Sequence, residues 1–437
     1  MPVVSHPVTS IGPRDVPSPL GLSTGEDAEG PRYVPDDAFV LRTIEGRASS
    51  PLGVEALEKA GPRERIHFTP SRVRAAILTA GGLCPGINNV IRALVLELVY
   101  RYGVREVLGL PLGFAGLGPS ARPPIALGPD EVRHIHTRGG TILGTSRGAQ
   151  PVAGMVDALI ARGVDVLFTI GGDGTLRGAH AIAAEIAERG AKIAVVAIPK
   201  TIDNDIPHVD KTFGFETAVS MARAAIDAAH TEATSALGGV GLVKTMGRDA
   251  GFIAAHASLA SVDVNVCLVP EVGFELHGPH GLLAHVERRL ETRGHAVIVV
   301  AEGCGAILAG ADPVRDPSGN MAYGADAVDI GRHLKSAIEK HLDGRRLPHS
   351  VKYIDPSYMI RGVAAGAIDS IFCADLARAA VHAAMAGKTD VMIGRLHRAF
   401  THVPLPLALA ERKRIDPRGE LWLSVMESTG QPRLSAR

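Results

Sequence analysis

The sequence predicts an α/β fold with mainly parallel sheets, divided into two domains and preceded by an N-terminal extension. The length of 437 residues exceeds the roughly 250–300 residues at which a single hydrophobic core usually stops growing. Hydrophobic residues make up 46% of the chain and charged residues 21%, with 50 glycines, a composition typical of globular proteins. From residue 72 onward, short apolar runs alternate with Gly-containing loops and helical stretches, the pattern of a parallel α/β sheet.

The charge balance and the apolar pattern exclude several classes of partner. Lys and Arg number 46, as do Asp and Glu, so nothing attracts the whole chain to nucleic acid or to a membrane, and we expect neither as partner. No apolar run approaches the roughly 20 residues that span a bilayer. The N-terminus lacks the pattern of a signal peptide, and the four cysteines form no CxxC. These features predict a cytoplasmic protein without zinc or disulfides.

Residues 1–65 are rich in Pro, Gly, Ser and charge and show no sustained periodicity. They indicate a mobile or loosely attached extension without chemistry.

Three strands are predicted next, each followed by a polar loop. Residues 73–80 precede GGLCPG and a helix that begins near Asn88. Residues 164–170 precede GGDGT and a helix that stops at Gly190, and residues 192–198 precede PKTIDND. Further strands are predicted at 239–245, 264–270 and 295–301. Because open α/β sheets bind ligands beyond the carboxyl ends of their strands, these loops should share one cleft.

GGLCPG and GGDGT each join a strand to a helix N-terminus, where free backbone N–H groups favour an anion such as phosphate. The alternative is a tight turn that merely needs glycine. Neither loop is a Walker A sequence, and GGDGT does not match GxGxxG because Arg177 stands at the third glycine position. Asp173 would repel phosphate unless a cation intervened, and Mg²⁺ is the natural bridge. The alternative for Asp173 is a helix N-cap.

PKTIDND at 199–205 places Lys200, Thr201, Asp203 and Asp205 close together. They offer a cation for a phosphoryl group, a hydroxyl, and carboxylates able to take a proton from an attacking alcohol. A solvated polar loop is the alternative. The segments 246–248 and 358–361 and the single Glu302 are weaker signals, since their charges could belong to surface ion pairs.

Taken together, these segments resemble the phosphofructokinase family between about residues 63 and 407. The matching motifs, in family order, are AGGLCPGINN, GGTILGTSRG, IGGDGT, PKTIDND, KTFGFETA, MGRDAGF, NVCLVPE, AEGCG and KYIDPSYMIRG. Within the family the chain looks most like the ATP-dependent 6-phosphofructokinases of plants and trypanosomatid protists. NAD and lipid kinases share GGDGT but lack PKTIDND and MGR.

The resemblance implies the phosphofructokinase fold, which consists of two Rossmann-like domains with mainly parallel sheets. The implied divisions are an extension at 1–65, an ATP-binding domain at 66–214 completed by part of 361–420, a sugar-phosphate domain at 215–360, and a tail at 421–437. Family members are commonly homotetramers or homodimers, and closed symmetric assembly is the default for soluble oligomers.

The resemblance also assigns site residues. The implied ATP-binding residues are Gly81, Gly82, Arg147, Gly148, Gly172, Asp173, Gly174 and Thr175, with Asp173 on Mg²⁺. The implied catalytic residues are Asp203 as proton acceptor, Lys200, Arg147 and Thr201. The implied fructose 6-phosphate site is Thr201, Ile202, Asp203, Asp205, Met246, Gly247, Arg248, Glu302, Tyr358, Met359, Ile360 and Arg361.

Two positions bear on the phosphoryl donor. ATP-dependent family members resemble this chain in having glycine at the position of Gly174. An aspartate there would crowd and repel the α-phosphate of ATP. Pyrophosphate-dependent family members carry a lysine at the position of Lys200. The plant and trypanosomatid ATP enzymes, however, combine this lysine with a glycine at the position of Gly174, as this chain does. One position departs from the pattern: compact bacterial members place an arginine nine residues before Arg248, where this chain has Gly239. Arg223 and Arg332 are possible substitutes.

The resemblance therefore implies an ATP-dependent 6-phosphofructokinase, which converts ATP and fructose 6-phosphate to ADP and fructose 1,6-bisphosphate in glycolysis. The alternatives are a pyrophosphate-dependent enzyme, a catalytically silent protein that binds nucleotide or sugar phosphate, and a kinase acting on sedoheptulose 7-phosphate.

Overall fold

The apolar runs of the sequence form the strands of two separate sheets. The computed structural model describes residues 4–24, 29–45, 55–119, 121–146, 148, 150–305, 314–315, 321–322 and 329–435. The strands are β1 (Val4–Ser5), β2 (Val16–Pro17), β3 (Phe39–Leu41), β4 (Glu55–Lys59), β5 (Arg65–Ile66), β6 (Arg74–Thr79), β7 (Glu106–Leu110), β8 (Ile125–Ala126), β9 (Val166–Gly171), β10 (Ala194–Pro199), β11 (Gly239–Thr245), β12 (Val266–Leu268), β13 (His295–Ala301), β14 (Val314–Arg315), β15 (Met321–Ala322), β16 (Ser350–Ile354), β17 (Val391–Leu396) and β18 (Ala399–Pro404).

Helices connect most of these strands. They are α1 (Ile87–Leu96), α2 (Val152–Ala161), α3 (Asp173–Glu188), α4 (Phe215–Thr234), α5 (Phe252–Ser261), α6 (Leu282–Arg293), α7 (Ile330–Gly344), α8 (Ser357–Gly362), α9 (Ala367–Met385), α10 (Leu405–Ala410) and α11 (Glu420–Thr429). Within the described ranges, no helix combines the length and the apolar character needed to cross a membrane.

The first sheet has the strand order β1-β4-β18-β17-β10-β9-β6-β7-β8, with β3 beside β4. Its five central strands, β17 to β7, are parallel. Leu167 of β9 pairs with Ala76 and Val195, and all three face the core under α2, α3 and α10. Phe168, one residue later, faces the opposite core under α1 and α9. Both faces are covered, which explains why these strands are apolar throughout.

The second sheet has the order β12-β13-β11-β16, and all its strands are parallel. Helices α4, α5, α6 and α7 pack against it. The α/β fold with mainly parallel sheets, predicted from the sequence, is therefore confirmed. Strands β17 and β18 belong to the first sheet although they follow the second sheet in the chain. The domain boundaries given above stay a prediction.

The expectation of a loosely attached N-terminal extension is wrong for its described residues. Strand β4 pairs with β18 and carries β1 and β3, so the extension lengthens the first sheet. Leu57 and Ala56 of β4 are fully buried. The sequence hides these strands because they are only two to five residues long and hold too few residues to show a period.

The C-terminal tail attaches to the second sheet. Helix α11 packs against α5 and β12. Beyond it, the Gln431 side chain accepts a hydrogen bond from the Cys267 N–H at 2.6 Å and donates one to the Cys267 carbonyl at 3.2 Å. The amide of Gln431 thus satisfies the backbone groups at the free edge of β12.

Candidate active site

A cavity of about 600 Å³ opens beyond the carboxyl ends of β6, β9, β10, β11 and β13. Its lining contains residues from both sheets, so the shared cleft expected from the sequence exists. From the residues proposed on sequence, the lining includes Gly81, Gly82, Gly148, Gly172, Asp173, Gly174, Thr175, Lys200, Thr201, Ile202, Asp203, Asp205, Met246, Arg248, Glu302 and Arg361.

Four of the proposed residues do not line this cavity. Tyr358 and Met359 are 78% and 65% exposed, while Ile360 is fully buried, because the short helix α8 turns only one side toward the cavity. Gly247 has φ of +120°, and a β-carbon there would lie 2.5 Å from the Ala250 carbonyl oxygen. Gly247 therefore shapes the turn between Met246 and Arg248. Arg147 lies outside the described residues.

Glycines allow close approach in the loops after β6 and β9. Gly81 has φ of +82°, and a β-carbon there would lie 3.4 Å from the Lys200 ammonium. Gly171 ends β9, and a β-carbon there would lie 2.0 Å from the Thr175 hydroxyl. Helix α3 therefore begins directly against its strand, and its first residues line the cavity, a location suited to an anion.

Asp173 is the first residue of α3. The cap position is taken by Gly172, without a side-chain hydrogen bond, so the interpretation of Asp173 as the N-cap is wrong. Its carboxylate accepts hydrogen bonds from Arg177 at 3.2 and 3.3 Å and from Arg412 at 3.2 Å. The guanidinium groups of Arg177 and Arg412 therefore neutralise the Asp173 carboxylate, which was expected to bind Mg²⁺.

The 199–205 loop is fixed by hydrogen bonds to Thr212 and Gly82. The Thr212 hydroxyl donates to the Thr201 carbonyl at 2.7 Å, and the Thr212 N–H donates to the Asn204 side chain at 3.1 Å. The Lys200 ammonium, only 5% exposed, donates to the Gly82 carbonyl at 2.6 Å. Burial lowers the pKa of Lys200. The alternative prediction, that residues 199–205 form a solvated polar loop, is therefore wrong.

Asp203 has the most perturbed carboxyl group of this loop. Burial, reinforced by the charges of Asp205 and Glu302, raises the pKa of Asp203 well above its ordinary value. Burial likewise raises the pKa of Asp205, while Arg412 opposes the shift. Among the described residues, the Asp203 Oδ1 atom is buried and has no hydrogen-bond partner. A buried carboxylate oxygen is rarely left without a donor in a folded protein, and this one borders the cavity.

The second sheet contributes charged groups on the opposite side. Arg248 lies 3.6 Å from Glu302, measured from Nε to Oε1. Burial raises the pKa of Glu302, and Arg248 opposes the shift. The Arg361 guanidinium stacks 4.7 Å above the Tyr358 ring. Arg248 and Arg361 could thus bind an anionic group at this end.

Sequence reasoning missed two basic residues beside the cavity, Arg412 and Lys413. Arg412 contacts Asp173 and Asp249, and Lys413 donates to the carbonyls of Val209 and Asp210 at 3.0 and 2.7 Å. Burial lowers the pKa of Lys413 to about 8. The basic run at 412–414 was the only available signal, and nothing in it points to a strand end more than 200 residues earlier.

The position nine residues before Arg248 has no room for a side chain. A β-carbon on Gly239 would lie 2.0 Å from the Ala233 carbonyl oxygen, so an arginine cannot replace it without moving α4. Arg223 and Arg332, the suggested substitutes, are 54% and 83% exposed, and neither lines the cavity.

Comparisons with known proteins agree with this architecture. The model of the phosphofructokinase family matches residues 74–384. An ATP-dependent 6-phosphofructokinase of Borreliella burgdorferi is 50% identical over 384 residues, 86% of this chain and 85% of that protein. The chloroplastic ATP-dependent 6-phosphofructokinase 5 of Arabidopsis thaliana is 44% identical over 408 residues, 91% of this chain and 75% of that protein. The resemblance to plant enzymes is therefore confirmed.

One solved structure shows the same fold. The crystal structure of a pyrophosphate-dependent phosphofructokinase from Marinobacter aquaeolei has a TM-score of 0.66 and 19% identity, over 83% of this chain and 92% of that one. At this identity the likeness concerns the fold alone.

Proposed function

Because the chain belongs to the phosphofructokinase family, we propose that it is an ATP-dependent 6-phosphofructokinase, which transfers the γ-phosphoryl group of ATP to the 1-hydroxyl of fructose 6-phosphate. The observation that carries the mechanism is that Asp203 Oδ1 has no hydrogen-bond partner in the described part of the chain and borders a cavity lined also by Asp173 and the N-terminus of α3. A base and an anion-binding helix end thus border the same space.

The triphosphate occupies the side formed by the loops after β6 and β9. The N–H groups at the start of α3 and the Gly81–Gly82 turn supply donors, and Lys200 supplies a positive charge. Arg147 is proposed to add a second cation, on the family resemblance. Phosphoryl transfer depends on positioning and charge neutralisation, which these groups provide without covalent chemistry.

The carboxylate of Asp173 fits a Mg²⁺ ion, because this metal takes one or two protein carboxylates together with phosphate oxygens and waters. Asp173 borders the cavity and is 17% exposed, so it can reach a bound ligand. The metal, when bound, would neutralise charge on the phosphates.

Asp203 accepts the proton of the sugar hydroxyl. As the 1-oxygen forms its bond to the γ-phosphorus, the bond from that phosphorus to the β–γ bridging oxygen breaks and ADP leaves. The proton moves to Asp203 Oδ1, which accepts no hydrogen bond from the described residues. The neighbouring Thr201 hydroxyl accepts from the Asp203 N–H at 3.1 Å and fixes this part of the loop.

The sugar phosphate lies toward the second sheet. Arg248 and Arg361 face the cavity and can pair with the 6-phosphate, while Glu302 can accept hydrogen bonds from sugar hydroxyls.

Fructose 6-phosphate and sedoheptulose 7-phosphate have similar reacting ends, so a competition assay between the two sugars would decide which one is the natural acceptor. We also propose a homodimer or homotetramer in the cytoplasm, which sedimentation analysis would test.

The donor assignment has its own support. Gly174 lines the cavity in the first turn of α3, where an aspartate would place a second negative charge beside Asp173. ATP is therefore the proposed donor. Lys200 keeps pyrophosphate as the second candidate.

A coupled assay of the purified protein with fructose 6-phosphate and Mg²⁺ tests the function. We expect turnover with ATP and at least tenfold lower kcat/KM with pyrophosphate, a difference of about 1.4 kcal/mol in transition-state stabilisation. Preference for pyrophosphate would establish the second candidate. Binding of both substrates without turnover would identify a silent binding protein.

A further inference from the structure

Arg412 lies among three carboxylates, one at the start of α3 and two in separate loops. One of its terminal nitrogens contacts Asp173 at 3.2 Å, and the other contacts Asp249 and lies 3.9 Å from Asp205. The three carboxylate side chains are 17%, 7% and 19% exposed, respectively. A single guanidinium therefore balances part of a concentrated negative charge.

The segment that carries Arg412 joins the two sheets. Helix α10 precedes it and packs on α3 of the first sheet, whereas α11 follows it and packs on α5 of the second. The neighbouring Lys413 N–H donates to the Asp205 carbonyl at 3.0 Å, and the Ile415 N–H donates to Glu271 at 3.0 Å. We call residues 411–419 the crossover. Its backbone is thus anchored to both halves of the cleft.

A divalent cation that approaches Asp173 meets a carboxylate that already accepts hydrogen bonds from arginines. Arg412 and Arg177 both donate to Asp173 Oδ2, and Arg177 also donates to Oδ1, so a divalent cation that binds a carboxylate oxygen of Asp173 must displace at least one of these bonds. Asp249 and Asp205 offer Arg412 alternative acceptors without leaving the cluster. The arginine can therefore release Asp173 by a small rotation instead of entering water.

We propose that Arg412 is a positioning residue which holds Asp173 in the nucleotide-free protein and yields it to a divalent cation, so that metal binding is linked to the crossover between the sheets. This inference rests on the proposed function, because it assumes that Asp173 meets the metal of a metal–nucleotide complex. Arg412 acts through Asp173 and is not assigned contact with a substrate.

Calorimetric titration with the non-hydrolysable analogue AMPPNP tests the proposal without turnover. The measured quantity is the ratio of the Kd in EDTA to the Kd in saturating Mg²⁺. In Arg412→Gln the metal displaces one charge-assisted hydrogen bond fewer, because only the bonds from Arg177 remain on Asp173, so the ratio should rise about fivefold or more. In Asp249→Asn the arginine loses its other close acceptor and should hold Asp173 more firmly, so the ratio should fall.

Arg418→Gln is the matched control, because Arg418 lies in the same crossover and is 93% exposed. Its ratio should stay within twofold of wild type. Unchanged ratios in folded Arg412→Gln and Asp249→Asn, or an equal rise in the control, overturn the proposal. If Arg412→Gln does not fold by circular dichroism, Arg412→Lys replaces it, and an unchanged ratio there has the same meaning.

The wild-type titration separates the two levels of inference. If wild-type protein fails to bind AMPPNP with Mg²⁺, the proposed function is wrong. If it binds the analogue and phosphorylates fructose 6-phosphate while the variants keep the wild-type ratio, only the role of Arg412 is wrong.

Discussion

Asp203 must be ionised to accept a proton, yet its surroundings favour the neutral form. Burial and the charges of Asp205 and Glu302 raise its pKa, which strengthens it as a base but reduces its ionised fraction at low pH. Activity should therefore fall on the acid side at a pH above the ordinary range of an aspartate.

The position of that acid limb depends on Asp205. Removing its negative charge with Asp205→Asn lowers the pKa of Asp203, so the acid limb of kcat/KM should move to lower pH even if the plateau falls. A pH profile of kcat/KM for fructose 6-phosphate measures the shift. The conservative variant Asp205→Glu keeps the charge and should leave the limb near its wild-type position. A limb that moves upward or stays in place in Asp205→Asn would contradict the assigned coupling.

Gly174 should discriminate between phosphoryl donors. Gly174→Asp adds a carboxylate beside the phosphate path, so kcat/KM for ATP should fall at least about tenfold more than the affinity for pyrophosphate. Steady-state kinetics with ATP and inhibition by pyrophosphate give the two values. Gly174→Ala separates added bulk from added charge, and equal losses with both donors would remove Gly174 as the discriminator.

Among the residues of the site, the sequence predicted those that lie close together in the chain and missed those that only the fold brings together. PKTIDND and GGDGT place Asp173, Lys200 and Asp203 on the cavity, because a strand end fixes its own loop. Arg412 and Asp249 reach the same place from other elements, and no local pattern encodes their meeting. The exposure of Tyr358 follows from the orientation of α8, which the motif does not specify.

Strands and helices were predicted more closely than the site. Strands β11 and β13 begin and end at the predicted residues, and β9 differs by one or two. Their apolar runs are long enough for the strand pattern to stand out between Gly-containing turns. The two- to five-residue strands of the extension gave no such signal. They are strands because β4 pairs with β18, and β1 and β3 pair with β4.

One buried carboxylate fixes the start of α4 against α9. Asp369 accepts from the Gly214 N–H at 2.9 Å, and from the Thr217 N–H and hydroxyl at 2.7 and 2.6 Å. Although these donors lower its pKa, burial raises the pKa of Asp369 overall. A carboxylate from another helix thus satisfies the free N–H groups of α4.

Removing this carboxylate should therefore destabilise the protein. Asp369→Ala should lower the free energy of unfolding by about 3 kcal/mol, because it leaves several buried donors unsatisfied. Asp369→Asn keeps one acceptor oxygen and should lose less. Urea denaturation measures the free energy of unfolding of both variants. The control is Asp375→Asn, because Asp375 lies in the same helix and is partly exposed. A loss below about 1 kcal/mol in Asp369→Ala would show that water replaces the carboxylate.

At the scale of the molecule, a charged cluster attaches the extension to the first sheet. Glu58 of β4 contacts Lys388 at 2.8 Å, Arg63 at 3.0 Å and His402 at 3.1 Å. Burial alone would raise the pKa of Glu58, but hydrogen bonds and charges from His402 and Lys388 lower it well below its ordinary value. The extension is therefore attached by a group that must stay ionised.

Acid should weaken this attachment. Because the folded-state pKa is depressed, Glu58 contributes stability above its unfolded pKa of about 4.5, and this contribution declines as the pH falls below that value. Glu58→Gln should cost about 3 kcal/mol at pH 7, since it leaves buried cations unpaired, and the difference from wild type should shrink toward pH 3. Urea titrations at several pH values measure it. The exposed Glu55 of the same strand gives the control Glu55→Gln, expected within about 0.5 kcal/mol. A pH-independent difference would contradict the account.

The central claim is that Asp203 is the base in a cavity shared with Asp173, and the turnover of Asp203→Ser tests it most directly. With ATP and fructose 6-phosphate at saturation, kcat should fall by about 10²- to 10⁴-fold, while calorimetry finds both substrates bound within about tenfold of wild-type affinity. A folded Asp203→Ser protein with wild-type kcat would contradict the claim.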